Sequence, residues 1–150
     1  MRLPVLFFAL AAVSLSCAGS TDPQTLETGR DLCGLCRMPV SDVHFAAQIV
    51  ADGELPVFFD EPGCLGEYVR AGRSGKRGGV AWVADHRTGA WVRADRATYT
   101  RVPDLPTPMN HRLVAHESPA SRDADAAARE GHAVAATEIF GPLGPPAGGA

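Results

Sequence analysis

Residues 45–72 read FAAQIVADGELPVFFDEPGCLGEYVRAG, and this stretch decides the fold class. Two short apolar segments flank the turn Asp52-Gly53, a pattern that predicts a β-hairpin. A helix is predicted to follow, because Asp60 is a good N-cap and a proline lies in the first turn. A third strand is predicted at Val80–Ala84. The order of elements is therefore ββαβ.

The second half of the chain shows the same order. Strands are predicted at 90–94 and at Leu113–His116, and a helix at 120–130 begins after Ser118 as N-cap. A last strand is predicted at 132–137. The repeated order predicts an internal duplication. Each half is small for a separate core, so we expect an α+β protein in which two small ββαβ units pack together.

The two ends of the chain have a different composition. An apolar run after Arg2 has the length of a signal-peptide core, and Cys17 follows it among small residues, as in a lipoprotein processing site. Ordinary cleavage after Ala18 is the alternative. We expect Cys17 to carry the lipid and to anchor the protein in the periplasm, at the outer membrane or the cell membrane. The predicted divisions are 1–16 (lipoprotein signal peptide), 17–31 (flexible tether), 32–87 (first unit), 88–138 (second unit) and 139–150 (disordered Gly/Pro tail).

The composition excludes several classes of function. The formal net charge is −3, so the basic footprint of a nucleic-acid-binding protein is missing and no nucleic-acid partner is expected. No run reaches the roughly 18 apolar residues that a membrane-spanning helix needs. Once Cys17 is lipidated, three of the four cysteines remain, an odd number that indicates metal or thiol chemistry in an exported protein. No hydrolase motif is present, and we expect no enzyme.

The motif Cys33-Gly-Leu-Cys36-Arg-Met38 is the strongest functional signal. Thiolate and thioether ligands select Cu(I). In an extended segment Cys36 and Met38 would lie on one side, whereas Cys33 would have to fold back to reach the same ion. Met109, in a second proline-flanked loop, is expected to complete the site. His111 and Cys64 are weaker candidates for ligands, and Cys64 is expected to serve mainly in packing. His86, His116 and His132 are expected to have structural or surface roles.

Three other interpretations of the cysteine pair remain open. A structural zinc site would need a second pair of cysteines, and Cys64 is the only other one. A thiol-disulfide oxidoreductase using Cys33 and Cys36 would place the pair at a strand-to-helix turn, whereas here a proline and a strand follow. A simple disulfide, Cys33–Cys36 or Cys36–Cys64, is the third possibility.

The order of short motifs along the chain resembles the NosL family. The matching residues are Cys33-x-x-Cys36-x-Met38-x-Val40, Ala46-Ala47-Gln48-Ile49, Phe59-Asp60-x-x-Gly63-Cys64-Leu65, Trp82-Val83-x-Asp85, Thr88-Gly89-x-Trp91-Val92, Ala97-x-Tyr99 and Thr107-Pro108-Met109. Departures are Arg37 and Asn110-His111, where glycine is usual, and His116, where an apolar or aromatic residue is usual.

This resemblance implies a function. It implies a lipoprotein of two related units that binds Cu(I) through Cys and Met. It also implies transfer of the ion to a membrane-associated copper-site maturation complex and, through it, to nitrous-oxide reductase. From the donor chemistry we expect loss of Cys36 to weaken binding most, loss of Met38 or Met109 less, and loss of Cys33 least.

Overall fold

The computed structural model describes residues 20–73 and 78–148. The predicted signal peptide and Cys17 lie outside these residues. The strands are β1 (Ala47–Val50), β2 (Val57–Phe59), β3 (Val80–Ala84), β4 (Trp91–Arg93), β5 (Thr98–Arg101), β6 (Leu113–His116) and β7 (His132–Val134). The helices are α1 (Pro62–Arg70), α2 (Pro119–Ala124) and α3 (Ala136–Phe140), with a short 3-10 helix at Ala126–Ala128.

Two antiparallel sheets form the framework. The first sheet has the order β2-β1-β3-β4, and the second has the order β6-β5-β7. The chain follows β-β-α-β through β1, β2, α1 and β3, and again through β5, β6, α2 and β7. The fold class is α+β, as expected, and in both sheets the first strand of the unit is central. The internal duplication itself stays a prediction.

One continuous apolar core joins the two units. Leu65 on α1 lies in the same buried group as Val83 of the first sheet and Leu113 of the second. From the C-terminal region, Phe140 packs its ring against Tyr99, with centroids 5.6 Å apart. Burial of such side chains stabilises each by about 1.5–3 kcal/mol relative to exposure. The two units therefore share one core, as their small size requires.

Strand β4 corrects the predicted division of the second unit. Residues 90–94 were expected to begin that unit, but β4 pairs with β3, with Val83 opposite Val92, and belongs to the first sheet. The first strand of the second unit is β5, which the sequence pattern did not indicate. Residues 98–101 read TYTR, and a stretch with only one large apolar side chain gives a weak strand signal.

The helix boundaries also differ from expectation. The N-cap of α1 is Glu61, not Asp60. Asp60 instead accepts hydrogen bonds from the backbone N–H and the hydroxyl of Ser41, at 2.8 and 2.9 Å, and so ties the hairpin end to the preceding loop. The helix predicted at 120–130 is interrupted at Asp125, whose side chain caps the 3-10 helix by accepting from the Ala127 N–H.

The segments before and after the two units are folded, which corrects the predicted flexible tether and disordered tail. In the first, Gln24 and Gln48 exchange two hydrogen bonds of 2.9 and 3.0 Å. At the C-terminal end, the strand predicted at 132–137 ends at Val134. Helix α3 follows and continues to Phe140, into the predicted tail. The Pro146 carbonyl then accepts from the Ala81 N–H at 2.7 Å. The first segment is therefore tied to a side chain of β1 and the second to the backbone of β3.

Within residues 20–73 and 78–148, no helix has both the length and the apolar character needed to cross a bilayer.

Candidate metal centre

The loop that carries the cysteine motif is a closed turn. Leu32 and Pro39 form a β-bridge at its base, and the Cys33 N–H donates to the Met38 carbonyl at 2.8 Å. Arg37 adopts a positive φ of 67°, so the chain reverses between Cys36 and Met38. The expectation that these two side chains share one side of an extended segment was wrong. Cys33, expected to lie apart, is folded back by this same turn.

The hairpin β1–β2 holds this turn in place. The Gly34 N–H donates to the Phe58 carbonyl at 2.7 Å. A Cβ atom at Gly34 would collide with the Val57 side chain, so only glycine permits this close approach. The loop is thereby fixed against β2, from whose end the chain leads directly into α1.

Three cysteine sulfurs converge where the turn meets α1. The Sγ atoms of Cys33, Cys36 and Cys64 all lie within 4.8 Å of one another, and none of the three forms a disulfide. Cys33 and Cys64 are fully buried, whereas Cys36 is half-buried. Cys64 lies in the first turn of α1, which begins at Pro62. We call this group the sulfur cluster. The sulfur cluster is buried at Cys33 and Cys64 and is partly accessible to solvent at Cys36.

The three thiols of the sulfur cluster differ in protonation. A hydrogen bond from Cys64, aided by backbone N–H groups of the turn and of Asp60, outweighs burial and lowers the pKa of Cys33 to about 5. The same hydrogen bond, together with burial, raises the pKa of Cys64. Burial raises the pKa of Cys36. At neutral pH the metal-free cluster therefore holds a thiolate on Cys33 and thiols on the other two.

The two methionines predicted as ligands occupy different surroundings. Met109 is half-buried and packs against the core group that contains Cys33 and Cys64. Met38 is 48% exposed, on the backbone that closes the turn. Met109 therefore packs against the apolar core, and Met38 lies at the protein surface.

His111, the predicted nitrogen ligand, belongs to a second donor group that shares Cys64. One donor atom from each of Glu61, Cys64 and His111 lies within 4.8 Å of the others. The His111 ring lies over Gly63, where any side chain would collide with it. Nδ1 of the ring contacts Glu61, and Nε2 lies 3.0 Å from Glu67 Oε1.

The two carboxylates favour the protonated form of this ring. The hydrogen bond with Glu61 raises the pKa of His111 against the effect of burial. Burial acts to raise the pKa of Glu61, but the hydrogen bonds from His111 outweigh it and the pKa is lowered. A protonated imidazole cannot bind a metal, so His111 must lose its proton before it can act as a ligand.

Sequence analysis underestimated Cys64 and did not identify Glu61 as a possible ligand. The signal for Cys64 was its position directly after Pro-Gly at a predicted helix start, since a helix N-terminus stabilises a thiolate. Nothing local in the sequence shows that this helix start faces the cysteine turn. For Glu61, only its place in the motif around Cys64 could have indicated a role. The resulting donor set is compatible with metal binding.

Comparison with known proteins adds the family relationship. The family model described as NosL matches residues 23–142, a range that contains the sulfur cluster, both methionines and His111. A comparison with curated proteins gave no match.

Proposed function

The chain belongs to the NosL family, and from that premise we propose that it is a periplasmic metallochaperone that binds Cu(I) and delivers it for assembly of the nitrous-oxide reductase copper site in denitrification. The convergence of Cys33, Cys36 and Cys64 within 4.8 Å is the observation that carries the proposal. Soft sulfur donors favour Cu(I) over harder divalent ions. No substrate bond is made or broken, so the protein is not an enzyme.

Transfer requires that the bound ion can be reached by another ligand. Cys36 is the half-buried member of the sulfur cluster, and Met38 stands beside its loop with 48% of its surface exposed. An incoming thiolate or thioether of the acceptor can attack the ion from this side, while Cys33 and Cys64 hold it from the buried side. Exchange of one ligand at a time avoids release of free Cu(I).

The surface next to the turn suits a protein acceptor. A groove of about 340 Å³ is lined by residues that include Leu32, Arg37 and Leu55. Leu32 is 45% exposed and Leu55 is 88% exposed. Exposed apolar side chains beside a metal site favour docking of a partner. We assign this surface to the membrane-associated maturation complex that receives the ion.

Anchoring is the second part of the proposal. Cys17, which lies outside the described residues, is expected to carry the lipid that attaches the protein to the outer membrane or the cell membrane. Cys17→Ser should abolish lipidation and leave an unprocessed or a soluble form of the protein. An unchanged mass and unchanged membrane partitioning of this variant would show that the protein is processed in another way.

The test of Cu(I) binding is competition with a Cu(I) chelator under reducing, anaerobic conditions. Because the structure brings all three sulfurs together, Cys33→Ser, Cys36→Ser and Cys64→Ser should each weaken binding by about two orders of magnitude or more. Met109→Leu should weaken it less, since a thioether is a neutral donor. His132→Ala, at an exposed position, is the matched control. Cu(I) affinity unchanged in all three cysteine variants would refute the site.

The lowered pKa of Cys33 supports a second candidate function, thiol-disulfide exchange with Cys36. Cys33 is fully buried, however, and a thiolate that cannot reach a substrate disulfide is a poor nucleophile. Disulfide reduction by the metal-free protein, lost in both Cys33→Ser and Cys36→Ser but kept in Cys64→Ser, would support this candidate. Cu(I) binding that needs all three cysteines would support the chaperone.

A further inference from the structure

A second cluster of metal-ligating side chains lies at the junction of the two sheets. His86 follows β3 of the first sheet, His116 ends β6 of the second, and Asp125 separates α2 from the 3-10 helix. Oδ2 of Asp125 lies 2.6 Å from His86 Nδ1 and 2.9 Å from His116 Nε2. One donor atom from each of the three residues lies within 4.8 Å of the others. This convergence was not expected, since both histidines were assigned structural or surface roles.

The surroundings hold the three side chains in fixed positions. The second carboxylate oxygen of Asp125, Oδ1, accepts from the Ala127 N–H at 2.9 Å. The His86 backbone N–H donates to the Ala115 carbonyl at 2.8 Å, and its ring packs edge-on against Phe45 with centroids 4.7 Å apart. Carboxylate and imidazole ligands in metal sites are oriented by this kind of secondary contact.

His116 faces Asp125 through Nε2, and its other ring nitrogen, which points away from Asp125, has no partner in the part of the chain that the structure describes. The His116 side chain is 0% exposed, and its Nδ1 has no hydrogen-bond partner among the described residues. Almost all buried polar side-chain atoms have a partner, and an exception calls for an ion or a water molecule beside it. His86 and Asp125 are 13% and 10% exposed, so the cluster is not completely sealed from solvent.

We propose that His86, His116 and Asp125 form a second metal site that binds Zn²⁺. Two imidazole nitrogens and one carboxylate oxygen are typical Zn²⁺ ligands, with a water molecule in the fourth position. The donor set contains no sulfur, so it differs from the sulfur cluster and should select a borderline divalent ion rather than Cu(I). Because its ligands come from both sheets, the ion would link the two units.

Binding of an ion would change the tautomer of both rings. In the metal-free form the Asp125 carboxylate can only accept, so His86 Nδ1 and His116 Nε2 each donate a hydrogen bond to it. When an ion takes the place of these protons, each ring carries its proton on the other nitrogen. For His86 that nitrogen belongs to a partly exposed ring. For His116 that nitrogen is the buried Nδ1, which has no acceptor within residues 20–73 and 78–148, so we expect this site to bind its ion more weakly than a thiolate site does.

The test is Zn²⁺ binding to the full mature chain whose sulfur cluster has first been loaded with Cu(I). Competition with a chromogenic Zn²⁺ chelator should show one ion bound. Asp125→Asn and His86→Ala should each weaken this binding at least tenfold. The His86 variant changes a ring near the surface and is therefore the safer one for folding, which circular dichroism verifies. His132→Ala, an exposed histidine, should bind Zn²⁺ as the unmodified protein does.

A Co²⁺ titration of the same Cu(I)-loaded protein provides a second readout. Ligand-field bands without a thiolate-to-metal charge-transfer band are expected, and they should disappear in Asp125→Asn. Zn²⁺ should also raise the thermal unfolding midpoint of the unmodified protein but not of that variant. Zn²⁺ affinity that is unchanged in both variants, or no Zn²⁺ binding at all, would show that the three residues form a structural hydrogen-bond network only.

Discussion

Cys64, in the first turn of α1, donates a hydrogen bond to Cys33 in the cysteine turn, and this bond sets the charges of both sulfurs. The pKa of Cys33 falls to about 5. Helix α1 therefore contributes one sulfur that can bind a metal, and it also favours the thiolate form of Cys33. In the proposed Cu(I) binding, the thiolate already present is the first ligand for the ion, and the other two sulfurs lose their protons afterwards.

This relationship predicts a thiolate titration in the reduced, metal-free protein. Ultraviolet thiolate absorbance should show a single ionisation with a midpoint near pH 5, because Cys33 has a pKa of about 5. Cys64→Ala removes the hydrogen-bond donor and should move this midpoint upward by more than about one unit. Cys36→Ala, which keeps the donor, is the control. If no thiolate is present at neutral pH, the Cys33–Cys64 relationship is wrong.

The pH dependence of Cu(I) binding follows from the same protonation states. At neutral pH, Cys33 is already ionised, whereas the pKa values of Cys36 and Cys64 are raised and both must lose a proton to bind the ion. Binding by all three sulfurs should therefore release about two protons, and the affinity should rise up to about 100-fold per pH unit. Calorimetry in buffers of different ionisation enthalpy measures the release. Binding without proton release would exclude coordination by Cys36 and Cys64.

The fold class could be predicted from the sequence, and so could the loop that carries two of the three sulfurs of the candidate site. Strand β3 has the predicted bounds, and the hairpin and α1 were predicted within a few residues, because these elements depend on local periodicity and turn residues. The role of Cys64 could not be derived in this way, since its contact with Cys33 depends on how α1 packs against the cysteine turn. The same holds for His116 and Asp125, which meet His86 only in the tertiary structure.

Composition misled the prediction at the C-terminal end. A segment rich in Gly and Pro has few side chains to bury and was expected to be disordered. Its order comes from the backbone instead. The Gly148 N–H donates to the Gly79 carbonyl at 2.9 Å, and Arg93 reaches the Ala147 carbonyl at 2.6 Å. Such contacts carry no residue pattern, so a single sequence does not reveal them.

Two of the residues at which the resemblance to the NosL family implied glycine lie in the left-handed backbone region. Arg37 and Asn110 have positive φ values of 67° and 61°. Arg37→Gly should therefore stabilise the protein by about 0.5–1 kcal/mol, because a residue with a Cβ atom is strained in this region and glycine is not. Urea denaturation measures the change. Arg37→Ala removes the same charge but keeps the Cβ atom and should have little effect. A less stable glycine variant would mean that the Arg37 side chain stabilises the turn.

Asp85 should control stability at low pH. It is buried and accepts hydrogen bonds from the Glu117 N–H at 2.9 Å and the Ser121 hydroxyl at 2.7 Å, which join the turn after β3 to the start of α2. Burial acts to raise the pKa of Asp85, but these bonds and those from Thr88 outweigh it and lower the pKa from 3.8 to about 2.

The sign of the effect follows from this lowered pKa. The unfolded chain takes up the proton more readily, so the contribution of Asp85 is complete above the unfolded pKa of 3.8 and is lost as the pH falls through about 2. This contribution amounts to about 2 kcal/mol. Asp85→Asn should lower the free energy of unfolding by about 2–4 kcal/mol at neutral pH, and the difference from the unmodified protein should shrink towards pH 2. Asp123→Asn, whose side chain is 67% exposed, should change the stability little at any pH. A difference between Asp85→Asn and the unmodified protein that stays constant down to pH 2 would show that Asp85 stabilises the fold through packing, not through its charge.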